Sequence, residues 1–316
     1  GISRTTNESL FTAAVGFDPA VVDIPCVQAG RRGEPARRVA DYDLEMRRRI
    51  DGDLTRMACD FVTTQGRAGR RFFLYLPLTQ LHFPTLPNRD FEGRTGAGDF
   101  ADSMVEMDHR VGQVLDALDA GGLSPNTLVI FASDNGPEFR RPWRGTAGPW
   151  TGTYHTAMEG GLRAPLVVRW PGRIAPSVTN EMAHVTDLFT TLAKIAGARL
   201  PEDRAIDGLD LSGFLFGETG RSPREGFLFY IKDQLRAIKW RNWKLHMIWE
   251  TEPNTGTVHL EVPFLFNVVQ DPKEETDVNA TQGWVRGPMR KMAQAFELSL
   301  AEFPRVPPGA PDDWTP

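Results

Sequence analysis

Apolar residues fall along this chain in two rhythms. Short apolar runs, Phe72-Phe-Leu-Tyr-Leu-Pro-Leu78, Thr127-Leu-Val-Ile-Phe-Ala132 and Ala164-Pro-Leu-Val-Val-Arg-Trp170, read as buried strands. Helical spacing lies between them. Leu44, Ile50, Leu54, Met57 and Phe61 share one face of a stretch that Asp41 or Asp43 caps and Gly66 and Gly69 end. Met104, Met107, Val111, Val114, Leu115 and Leu118 form a core stripe across Asp102 to Ala120, stopped by Gly121-Gly122. Asp187 to Ala196 is a third helix, with Thr186 or Asp187 as its cap and Gly197 after its end. Residues 72–133 thus read as strand, helix, strand, joined by a parallel crossover. Residues 1–40 lack periodicity and read as loop, with a short strand over Ala20 to Ile24.

After Gly217 to Pro223, a linker by composition, the rhythm changes. Gly226–Ile231, Leu235–Trp240, Trp243–Trp249 and Pro263–Val269 are short strand-like runs, and Arg241-Asn242 reads as a hairpin link. A last helix over Trp284 to Phe303 presents Val285, Met289, Met292, Phe296 and Leu300. The expected fold class is α/β, a mostly parallel central sheet flanked by helices over residues 1–220. A smaller antiparallel α+β subdomain follows over 221–316.

Two of the strand runs end in chemistry. Ser133-Asp-Asn-Gly-Pro137 places a carboxylate, Asp134, beside a carboxamide, Asn135, at a strand's carboxyl end, the edge where open α/β sheets bind ligands. Two hard oxygen donors there suit a hard cation; a strand ending in an Asx-turn accounts for the same residues. His82 follows the Phe72 run and belongs on the same edge. Residues 138–163 form a long loop, and Trp143, Trp150 and Tyr154 argue that it is packed.

Composition changes this picture little. A net charge of −5 gives no reason to expect nucleic acid or an acidic membrane as partner. No apolar run reaches the roughly 20 residues of a membrane span. Cys26 and Cys59 cannot make a disulfide framework, and whether they pair is open. The N-terminus leaves the compartment unassigned.

In order, His82-Phe-Pro84, Ser133-Asp-Asn-Gly-Pro137, Glu159-Gly-Gly-Leu-Arg-Ala-Pro165, Trp170-Pro-Gly172, Asp187-Leu-Phe-Thr-Thr-Leu192 and Leu265-Phe-Asn-Val-Val-Gln-Asp-Pro272 resemble the sulfatases, in particular the arylsulfatase branch of the alkaline-phosphatase-like superfamily. The resemblance spans roughly residues 40–300. It implies a sulfuric ester hydrolase acting on a small-molecule or glycan sulfate ester. It implies Ca²⁺ on Asp134 and Asn135, and His82 contacting the ester and protonating its leaving oxygen.

The chain departs from the family pattern twice. The family nucleophile is a formylglycine made within a Cys/Ser-x-Pro/Ala-x-Arg motif. Cys26-Val-Gln-Ala-Gly-Arg31 and Cys59-Asp-Phe-Val-Thr63 do not match it. The chain therefore resembles the C-terminal portion of a sulfatase and is expected to be inactive alone, needing its own N-terminal segment. A sulfate-binding Lys is also expected before Glu159, but Tyr154 holds that place. His155 or Arg144 are candidates to bind the substrate instead, with packing as their alternative role. Two other readings remain open: a phosphodiesterase or phosphonate hydrolase of the same superfamily, and a non-catalytic truncated relative.

Overall fold

The computed structural model describes residues 26–31, 33–138, 145–253 and 256–304. The expected strand at 20–24 lies outside them. The chain divides into two compact units: Gly1–Thr127 with Glu138–Gly145 and Asp312–Pro316, and Leu128–Pro137 with Thr146–Pro311.

In the first unit, β1 (Cys26–Ala29) pairs antiparallel with β2 (Arg37–Asp41). This hairpin occupies a stretch read from sequence as loop. Its strands are half exposed and partly basic, so no apolar run marks it. A small core of Tyr42 and Met46 packs with Val27, Ala40, Leu44 and Ile50. Helix α1 (Leu44–Arg67) starts at Asp43, whose carboxylate accepts from the Met46 amide at 2.7 Å. Of the two candidate caps, Asp43 is the one used.

The expected apolar face of α1 is corrected. Met57 is 61% exposed, while Arg47, Asp51 and Thr55 are buried with Met46, Ala58 and Val62. Arg47 and Asp51 point inward because the chain at 79–82 supplies hydrogen bonds to them, which offsets part of the penalty for burying them. Helix α2 (Asp99–Ala120) packs against α1. Its stripe holds at Leu118, 3% exposed, but Met104 is 47% exposed. At that end polar groups go inside instead. Asp102 accepts from the Gly93 and Thr95 amides, each at 2.8 Å, and Glu106 from the Asn88 amide at 2.7 Å.

Residues 72–78 run extended but belong to no strand ladder among the described residues. Phe73 and Tyr75 are 74% and 78% exposed, so alternate side chains of this apolar run face outward. Composition marks strand propensity; a ladder also needs a partner backbone.

In the second unit, β3 (Val129–Ala132) pairs with β4 (Leu166–Arg169), Ile130 opposite Val168. The pairing is antiparallel, and no ladder among the described residues joins 72–78 to β3 as the expected parallel crossover would. A strand's own sequence does not name its neighbour, and here β3 pairs with the run that follows it. Helix α3 (Glu159–Leu162) is a single turn before β4. Helix α4 (Val185–Ala196) ends at Gly197 with φ 69°. Its cap is His184 rather than Thr186 or Asp187, and Asp187 instead accepts the His184 amide at 2.8 Å. The Asp187 carboxylate also takes a buried two-pronged ion pair from Arg224.

Four antiparallel strands follow in sequential order: β5 (Gly226–Ile231), β6 (Gln234–Trp240), β7 (Trp243–Trp249) and β8 (Val258–Asn267). Arg241, at φ 54°, turns the β6–β7 hairpin where the sequence places it. Helix α5 (Ser212–Leu215) is one turn; α6 (Arg286–Glu302) lies on the sheet. Val285 and Met289, both fully buried, close over Ile238, Leu245 and Leu265. An added Cβ on Gly226 would lie 2.4 Å from Met292 Cε, which shows how closely helix and strand approach.

Candidate functional site

His82 sits in a loop that α1 holds by its polar face. The Asp51 carboxylate accepts from the Thr79 amide at 2.8 Å and the Gln80 amide at 3.0 Å. The Arg47 guanidinium donates to the carbonyls of Thr79 at 3.1 Å and His82 at 2.8 Å. Backbone polar groups of a loop need partners, and here two buried charged side chains provide them. The sequence reading missed Arg47 and Asp51. Their signal was a charge at each helical turn on one face, which reads equally as solvated.

The His82 ring is further set by its neighbours. Nδ1 lies 2.7 Å from the Phe83 carbonyl. Nε2 lies 3.5 Å from Glu138, whose other oxygen accepts the Phe83 amide at 3.1 Å. A carbonyl acceptor on Nδ1 favours a proton there and leaves Nε2 as the nitrogen that exchanges one.

Asp134 and Asn135 belong to the second unit, in a tight turn after β3. The Ser133 amide donates to the Pro165 carbonyl at 3.2 Å, and the Gly136 amide to the Gly161 carbonyl at 2.9 Å. Only glycine fits at 136, because an added Cβ would come within 1.9 Å of the Gly160 carbonyl oxygen. Asp134 is exposed and Asn135 half-buried. Asn135 Nδ2 donates to the Gly136 carbonyl at 2.8 Å, so the amide's Oδ1 is the atom left for a cation. This donor pair fits part of a Ca²⁺ shell, which takes about 6–8 oxygens. Among the described residues no group of three or more His, Cys, Asp or Glu could hold a metal ion.

His155 stands exposed with φ 65°, a left-handed backbone, its ring 5.7 Å from that of Tyr154. The surrounding turn is pinned by the Thr156 hydroxyl donating to the Thr153 carbonyl at 2.8 Å, and the Tyr154 amide donates to the Pro137 carbonyl at 2.9 Å. Arg144 lies outside the described residues. Both cysteines are free. Burial first, then Asp60 and Asp116, push the Cys59 thiol up, which makes it a poor thiolate.

A buried charge cluster stands beside α3. Glu159, 1% exposed, receives Lys239 at 2.6 Å, Arg163 at 2.8 Å and Lys244 at 3.2 Å. Its amide donates to Glu274 at 2.7 Å, and Glu274 lies 2.5 Å from His246 Nε2. Burial opposes ionisation of Glu159, but Lys244 and Lys239 outweigh it and hold the carboxyl well below its ordinary 4.5. Glu274 is likewise lowered against burial, by Lys244 and His246. Groups with depressed folded values stabilise the fold above their unfolded values and lose that contribution as pH falls through the folded ones. The urea midpoint, read by the near-ultraviolet circular dichroism of the tryptophans, is therefore expected to fall steeply below about pH 4.5. His246, which burial holds below its ordinary 6.5, adds a shallower decline that begins near that value. A midpoint unchanged between pH 7 and about 3 would contradict this.

Comparison with known proteins bears on the whole of this. The Sulfatase family profile matches residues 16–198, and the profile for the C-terminal region of aryl-sulfatase matches 222–309. Arylsulfatase A of Bos taurus is 37% identical over 265 residues, covering 78% of this chain and 52% of that protein. Steryl-sulfatase of Mus musculus is 35% identical over 271 residues, covering 76% and 42%. The chain spans about half the length of the curated relatives it matches. Among solved structures, a sulfatase from Pseudoalteromonas sp. superposes with a TM-score of 0.84 at 27% identity, covering 96% of this chain and 62% of that one. The fold is thus alkaline-phosphatase-like α/β with a C-terminal antiparallel subdomain. The profiles, the identities and the superposition agree, and the chain belongs to the sulfatase family.

Proposed function

We propose that this chain is part of a sulfuric ester hydrolase of arylsulfatase type. The observation that carries the reading is the Ser133–Gly136 turn, locked by the contact of Gly136 on Gly160 and Gly161 in a chain of the sulfatase family. Asp134 and Asn135 would hold the cation; when bound, it offsets the charge on the sulfate oxygens. His82, fixed by Arg47, Asp51 and the Phe83 carbonyl, gives its Nε2 proton to the bridging oxygen as the sulfur–oxygen bond breaks, so that the leaving group departs neutral. His155 or Arg144 binds the sulfate in place of the family lysine. The substrate is a small-molecule or glycan sulfate ester.

The nucleophile is a formylglycine carried outside these 316 residues, because neither cysteine lies in the required motif. The half-buried, carboxylate-flanked Cys59 does not replace it. The domain boundary falls near residue 220. Among the described residues no helix is long and apolar enough to cross a membrane. The test is an aryl sulfate assay on the chain alone and on the chain joined to an upstream Cys/Ser-x-Pro/Ala-x-Arg segment, with an aryl phosphodiester in parallel. Sulfate hydrolysis by the joined protein alone supports the reading. Phosphodiester turnover in its place favours the phosphodiesterase alternative, and no turnover of either favours a non-catalytic relative.

A further inference from the structure

We propose that Glu159 is a positioning residue for the Asp134–Asn135 turn, and that Lys239 and Lys244 of the C-terminal sheet act on the bound cation through it. The inference rests on the cation reading above and adds to it the element that sets the turn's geometry.

The turn has little holding it from within. Its internal bonds are the Ser133 hydroxyl to the Asn135 carbonyl at 3.2 Å and the Asn135 amide to the Gly136 carbonyl at 2.8 Å. Its backbone is fixed from outside, by the Pro165 and Gly161 carbonyls and the Tyr154 amide. All three belong to the segment that α3 interrupts. Because the Gly136–Gly160 approach leaves no room for a methyl group, a tilt of α3 is passed directly to Asn135 and Asp134.

Helix α3 cannot set its own position. Four residues are far below the length at which a helix is stable alone. Its anchor is Glu159: Oε2 accepts from Lys239 and Arg163, Oε1 is ion-paired with Lys244, and the backbone amide donates to Glu274. Lys239 lies on β6 and Lys244 on β7, so the fixed end of the linkage is the C-terminal sheet. Burying Lys244, Glu159 and Glu274 at 2% exposure or less is a costly way to make an adhesive contact; apolar residues of equal size serve that end as well. What charged pairs add is direction. Each hydrogen bond fixes an angle as well as a distance, and Glu159 Oε2 accepts two, from Lys239 and Arg163, while its amide donates a third to Glu274. Carboxylates that orient ligand-bearing backbone in this way change metal affinity without touching the metal.

The test uses the full chain, ¹⁵N-labelled, with CaCl₂ as the probe. Two quantities are read well below the melting temperature: the Ca²⁺ midpoint from the Asn135 and Gly136 amide shifts, and the hydrogen-exchange rate of the Gly136 amide. Glu159→Gln keeps the shape and removes the charge. It is expected to raise the midpoint by about tenfold or more and to speed Gly136 exchange by about tenfold. Lys239→Arg, which keeps a donor, is expected to leave both near wild type. Val285→Ala, in the core under α6, is expected to lower stability and move neither. If Glu159→Gln does not fold, Glu159→Gln with Lys239→Met removes one charge of each sign and is expected to show the same two shifts. Equal midpoints and exchange rates in wild type and Glu159→Gln, or equal changes in Val285→Ala, would overturn the proposal. A wild-type chain whose Asn135 and Gly136 signals ignore Ca²⁺ would instead overturn the cation reading, with the exchange rates still judging the seat of the turn.

Discussion

Replacing His82 by alanine in the protein joined to its nucleophile segment is expected to lower aryl sulfate turnover by about 10²–10⁴-fold, the usual worth of a positioned acid. The loss should be smallest for esters whose leaving group is already a weak base, because such an oxygen gains little from a proton. A plot of the logarithm of kcat against leaving-group pKa should therefore be steeper for His82→Ala than for wild type. Parallel lines would mean that His82 orients the sulfate and is not the acid. The structure supports the acid role by holding the ring in place, with Nδ1 at the Phe83 carbonyl and Nε2 toward Glu138. The loop beneath it is tied to Arg47 and Asp51.

Lys244→Met should be the most damaging single change to stability. Lys244 is fully buried, 3.2 Å from Glu159 and 3.4 Å from Glu274. Methionine matches its length but removes the buried cation shared by two buried carboxylates, leaving Glu159 to Lys239 and Arg163 and Glu274 to His246. Breaking such a pair from one side costs about 3–5 kcal/mol, and urea unfolding followed by tryptophan fluorescence reads it directly. A loss below about 1 kcal/mol would mean that the remaining partners suffice for both carboxylates, and that the cluster is looser than its distances imply.

The C-terminal sheet was legible in the sequence because each strand is short, apolar and bounded by turn residues. Arg241-Asn242 marks the hairpin, and Val285 and Met289 mark the helix face that covers it. The turn at Asp134 was legible for the same reason: an apolar run ends abruptly in polar residues. Partners were not legible. The sequence of β3 is equally consistent with a parallel and an antiparallel neighbour, and the pairing with β4 comes from the chain between them. The inward faces of α1 and α2 were misread because Arg47, Asp51 and Glu106 are buried charges. A pattern of apolar spacing treats such residues as solvent-facing, and only their hydrogen-bond partners, far away in sequence, reverse that. Glu159 was visible as part of a motif, but Lys239, Lys244 and Glu274, which hold it, lie 80 or more positions downstream.

The central claim is that this chain carries the cation turn and the acid of a sulfatase and takes its nucleophile from outside these residues. One measurement tests it most directly: aryl sulfate hydrolysis by the 316-residue chain in Ca²⁺, alone and joined to a segment bearing the Cys/Ser-x-Pro/Ala-x-Arg motif. The account predicts no turnover by the chain alone, turnover by the joined protein, and loss of that turnover on Asp134→Ala. Turnover by the chain alone, or a joined protein indifferent to Asp134→Ala, would contradict it.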